Sequence, residues 1–140
     1  KTVSVECGKE IIMKVIRING NKRIQTLQKE FNEIFPYLRL EFFQRTHANH
    51  RGSPPQQMLN SELTLGSSSK KNNTGAIVLN EAMKVSELEE IFRKNFGLSV
   101  QVFRKSGRSW IETTITDDWT LKQQNDEGKE LSLFSRTNDK

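Results

Sequence analysis

Apolar residues recur at spacings of three and four between Ile24 and Phe35, where Ile24, Leu27, Phe31 and Phe35 fall on one face of a helix. About 61 positions later the stripe returns as Val85, Leu88, Phe92 and Phe96. After each stripe the period drops to two. Leu38, Leu40 and Phe42 follow the first, and Leu98, Val100 and Val102 the second, which predicts a strand with one buried side in each case. A strand candidate also precedes each helix, Ile11 to Ile18 and Ala76 to Leu79, so both halves read strand, helix, strand.

Local punctuation supports these boundaries. Asn19-Gly20-Asn21 forms a turn before the first helix and Pro36 closes it; Ser86 with Glu89 reads as a capping box for the second, and Gly97 as its stop. Further on, Val100 to Lys105 and Arg108 to Thr114 flank Ser106-Gly107, a two-residue hairpin turn. That turn sets Phe103 opposite Trp110, Val102 opposite Ile111 and Gln101 opposite Glu112, with Phe103 and Trp110 on the side away from Val100 and Val102. Thr116 or Asp117 is placed to cap a short helix from Asp118 to about Glu127, stopped by Gly128.

These elements predict an α+β fold made of two strand-helix-strand halves, a ferredoxin-like split β-α-β arrangement with an added hairpin strand and a short carboxy-terminal helix. Residues 1–140 read as a single domain with a frayed tail from about Ser135. The stretch 44–75, rich in Ser, Asn, Gly and Pro, reads as a long basic flexible loop, or else hides a short element around Met58, Leu59, Leu63 and Leu65.

Composition narrows the functional classes. In 140 residues, 34% are hydrophobic and eight are Phe, enough large apolar units for a core. No run approaches the roughly 18 apolar residues that span a bilayer, and the lone Cys7 forms no internal disulfide, so a reducing compartment such as the cytoplasm is expected, without a membrane partner. The net charge of +5 favours anionic partners, and it is unevenly spread. Between Gln44 and Gly75, Arg45, Arg51, Lys70 and Lys71 face Glu62 alone, whereas Glu112 to Glu130 is dominated by acids.

The candidate site is the sheet face away from the helices. Phe103 and Trp110 would lie there with Arg39 and Phe43 from the earlier strand and with Arg104, Lys105 and Arg108 near the hairpin tip. Flat aromatic rings stack on unpaired bases while Arg and Lys neutralise phosphates, so this set suits single-stranded nucleic acid or an acidic protein surface. The competing expectation is that the segment with Trp119, Leu121, Leu131, Leu133 and Phe134 folds over the face and buries both rings.

The other chemistry-bearing residues read as structural. His47 and His50 fall short of the three or four ligands a metal takes, Cys7 has no base beside it, and Asp117 and Asp118 sit where a helix begins. Neither a metal nor another cofactor is expected. A non-enzymatic binding module for an anionic partner is the leading expectation. The alternative is an interaction or scaffolding domain, such as a homodimer meeting through the same face or an exposed sheet edge.

Overall fold

The computed structural model describes the backbone of residues 2–6, 9–44, 58–69 and 74–138, and the side chains of 13–44, 58–69 and 74–133. Cys7, Arg45, His47, His50, Arg51, Lys70, Lys71 and the Phe134 side chain lie outside the described residues.

The fold is α+β, and the described residues form antiparallel strands in two sheets and three helices. The elements run β1 (Thr2–Glu6), β2 (Lys9–Ile18), α1 (Ile24–Ile34), β3 (Leu38–Phe43), β4 (Gly75–Asn80), α2 (Val85–Phe96), β5 (Ser99–Ser106), β6 (Ser109–Glu112) and α3 (Leu121–Asn138). Helices and strands form where the apolar period changes from 3.6 to 2, as the sequence predicts. No helix among the described residues is long and apolar enough to cross a membrane.

The strand order differs from the expectation. A ferredoxin-like arrangement would unite the strands of both halves in one sheet, but they divide into β1-β2-β4 and β3-β5-β6. Each strand-helix-strand unit carries the chain from one sheet to the other. The first strands therefore pair together, from Met13↔Asn80 to Ile18↔Gly75, and the second strands pair from Leu38↔Arg104 to Phe43↔Ser99. The inward residues of both sheets and the helix stripes then meet in one buried cluster. Ile16, Ile18, Ile77 and Leu79 come from the first sheet, Leu38, Leu40, Phe42, Val100 and Val102 from the second, and Leu27, Phe31, Leu88 and Phe92 from the helices.

The helix starts recur in matching detail. In the first half Ile24 N donates to Leu63 O and Gln25 N to Ser61 O, while Leu65 N donates to Lys22 O. In the second, Val85 N donates to Trp119 O, Ser86 N to Asp117 O, and Leu121 N to Met83 O. The first two N–H groups of each helix are thus satisfied by the backbone of a returning segment, and neither N-cap residue, Arg23 or Lys84, caps through its side chain. The capping box expected at Ser86 and Glu89 is displaced accordingly: Glu87 accepts the Lys84 N–H at 2.7 Å, which releases Glu89 to face β5.

The returning segment of the first half is the element hidden in the long loop. Met58 bridges Phe43, Leu65 is fully buried, and a 3-10 turn follows at Gly66–Ser68. Its counterpart after Trp119 leads into α3 instead. There Thr120 and Gln123 cap reciprocally, Gln123 N donating to Thr120 Oγ1 at 3.1 Å and Thr120 N to Gln123 Oε1 at 2.8 Å.

The helix is longer than expected because Gly128 does not stop it. Gly128 is buried where α3 crosses β3 and β5, and a Cβ there would lie 2.9 Å from Tyr37 Cβ and 3.2 Å from Arg104 Cγ. This glycine permits close packing; it does not break the helix. Replacing a helical glycine by alanine ordinarily gains about 1 kcal/mol, but overpacking costs about 1–3 kcal/mol. Gly128→Ala is therefore expected to lower stability, and a higher urea midpoint would contradict the packing argument.

Candidate functional site

The β5–β6 hairpin sets the geometry of the site. Its register is Phe103↔Glu112, Arg104↔Ile111, Lys105↔Trp110 and Ser106↔Ser109, so the turn residues are Gly107 and Arg108 where Ser106 and Gly107 were expected. Gly107 has φ 64°, and the two-residue turns that match strand twist require a positive φ at their first position. Glycine takes that position. The pairing moves by two residues, which preserves the faces, so Phe103 and Trp110 remain on one side but diagonal to each other.

Three side chains converge on this side. The Arg39 guanidinium and the Lys105 ammonium each lie 5.6 Å from the Trp110 ring centroid, within cation–π range. Arg39 is 47% exposed and Glu41 orients it through a 2.8 Å ion pair. Phe103 pairs across from Arg39 and is partly exposed, and Arg108 is exposed at the turn. Together they form a cationic and aromatic surface confined to the hairpin end of the sheet.

Two residues of the expected set lie elsewhere. Phe43 is only 2% exposed, so it is buried and presents no ring to a ligand. Arg104 points to the opposite side by strand alternation. There its Nη1 donates to Gln124 Oε1 at 2.9 Å and its guanidinium lies 5.8 Å from the Trp119 ring centroid, so it ties β5 to α3. The carboxy-terminal helix therefore docks on the Arg104 side, while Trp110 meets Arg39 and Lys105. Towards the other end of β3 and β5 the same outer side is closed, with Glu41, Ser99 and Gln101 all buried.

A second polar feature was not read from the sequence. Glu89 Oε2 accepts the Val102 N–H at 3.1 Å and the Gln101 Nε2–H at 3.2 Å. Burial pushes its pKa from 4.5 to about 8; the Val102 N–H opposes this, and the charges of Asp117 and Glu112 add to it. In α1, Gln28 follows Leu27 as Glu89 follows Leu88, and its Nε2 donates to Leu40 O at 2.7 Å. A polar residue directly after a core leucine in both helices is the signal that identifies this role.

An open groove of about 770 Å³ also lies between β2 and α1, lined in part by Lys14, Arg17, Lys22, Glu30 and Ile34. Lys22 is already committed there to Glu30, at 2.7 Å, and to the Arg17 carbonyl.

The fold and this surface define an α+β protein with a compact cationic and aromatic patch. No protein-family model, curated protein or solved structure matches the chain.

Proposed function

We propose that this chain is a non-enzymatic binding module for an anionic partner, with single-stranded nucleic acid the partner its hairpin surface fits best. The observation that carries the reading is Trp110 held beside both Arg39 and Lys105, with Arg108 at the adjoining turn. An indole accepts an unpaired base by stacking, and neighbouring cations neutralise the flanking phosphates and release their counterions. Glu41 fixes the direction of Arg39 at the expense of part of its charge, which favours positioning over raw electrostatic attraction. Phe103 extends the apolar surface beside it.

A duplicated β-α-β unit is the fold reading that accompanies this proposal, supported by the repeated apolar stripes and the matching backbone bonds at both helix starts. The second copy carries the hairpin and hence the binding surface. The single cysteine fits a reducing compartment such as the cytoplasm.

Titration with a labelled single-stranded oligonucleotide tests the proposal. Three phosphate contacts predict that log K falls with log salt at a slope of about −2. Lys105→Ala with Arg108→Ala should flatten that slope, and Trp110→Ala should weaken binding by about 1–3 kcal/mol at every salt concentration. Absence of salt-sensitive binding, or binding indifferent to all three substitutions, would remove it.

A further inference from the structure

Among the described residues, backbone groups on the outer edge of β3 and at the Val102 end of β5 are already bonded. On β3, Leu40 O accepts from Gln28, Leu38 O accepts from Asn32 at 2.9 Å, and Phe42 O accepts the Leu59 N–H at 2.7 Å. Where β6 leaves β5, Val102 N–H donates to Glu89 and Val102 O accepts from Thr113 N and Oγ1. The edge of β2 is occupied by β1. By contrast β4 ends its sheet, and among the described residues no backbone group bonds to the outer edge between Gly75 and Leu79. Exposed edges of this kind normally carry charges, bulges or cover.

This edge also has an apolar face. Val78 is 50% exposed and its cross-strand partner Val15 is 61% exposed, beside the exposed Ala76. We infer that β4 is a self-association edge, where a second copy of this chain adds its own β4 antiparallel across a two-fold axis to make one continuous six-stranded sheet.

Charge selects this occupant. Gly75–Asn80 reads GAIVLN and contains no charged residue, whereas the chain carries +5 overall and displays Arg39, Lys105 and Arg108 on the other sheet. Two copies therefore meet along β4 without opposing like charges, and Val15 and Val78 continue as an apolar row across the joint. A two-fold contact is self-complementary by construction. Both hairpin surfaces stay free, so a dimer would present two anion-binding patches and gain avidity on a long strand. A six-residue edge buries less than the roughly 1,200 Å² of a stable interface, so association is weak and rises with concentration.

Sedimentation velocity from about 1 μM to 1 mM reads this equilibrium directly. The mass should climb from 16.2 kDa towards twice that value. Val78→Lys lies on an exposed face and brings two ammonium groups together at the joint; it should weaken dimerisation at least about tenfold with an unchanged thermal midpoint. For the wild type, hydrogen exchange at the outward N–H groups of β4 should slow as concentration rises, a reading that needs no variant. A protomer mass throughout, dimers insensitive to Val78→Lys, or exchange independent of concentration would each overturn the inference.

Discussion

Phe92→Ala is expected to cost about 3–5 kcal/mol, much of the 5–15 kcal/mol by which an ordinary domain is stable. Phe92 is 2% exposed and meets Phe42 edge to face, with centroids 5.9 Å apart and planes at 87°. That contact joins α2 to the sheet that carries the proposed binding surface, so the cavity opens between layers that cannot close around it without moving the helix. Phe31, fully buried and 5.5 Å from Phe35, holds the equivalent place in α1 and should behave alike. Phe103→Ala is the comparison. Its ring is partly exposed and lies outside the buried cluster, so the loss should stay below about 1 kcal/mol. Thermal melts of the three variants decide the matter: equal large losses would mean that Phe103 is a core residue and that the hairpin surface is not available to a ligand.

What the sequence discloses is the part written in periodicity. The stripes of α1 and α2 have one orientation that buries four large residues each, and the alternation in β3 and β5 has one that buries Leu40 and Val102, so burial follows from spacing alone. Strand order is not encoded that way, because the same inward faces satisfy one sheet or two. The start of α2 departs from its residue signature for a related reason. Ser86 has the right chemistry for a cap, but the carbonyls of Asp117 and Trp119 reach the helix first, and backbone acceptors leave no residue signature. Gly128 has the composition of a stop and the role of a contact, which only the proximity of Tyr37 distinguishes. At the site, strand parity predicts that Arg39, Phe103, Lys105 and Trp110 share a side, and the same parity assigns Arg104 to the other side, although its closeness in sequence to Lys105 suggests otherwise. The burial of Phe43 depends on tertiary neighbours and not on its place in the strand.

Glu89 makes stability depend on pH in a direction opposite to that of an ordinary surface carboxylate. Its folded-state pKa is raised to about 8 from 4.5, so the unfolded chain ionises first and the native state lags behind. Below pH 4.5 both states hold the proton and no difference arises; as the pH climbs from 4.5 to about 8 the native state loses ground, after which the deficit is constant. A shift of that size corresponds to a few kcal/mol, since each pKa unit is worth about 1.4 kcal/mol. Glu89→Gln keeps an oxygen for the Val102 N–H while abolishing the titration. It should therefore be more stable than the wild type at about pH 8.5, with the gap shrinking towards zero near pH 4.5. Glu89→Ala, which leaves Val102 N–H and Gln101 without that acceptor, should be destabilised even in acid. Because the lost contacts tie α2 to β5 just where β6 peels away, the hairpin surface should loosen together with the core in that variant. Urea unfolding of the three proteins across this range provides the measurement, and a wild-type minus Gln difference that does not change with pH would refute the assignment of a protonated Glu89 at neutral pH.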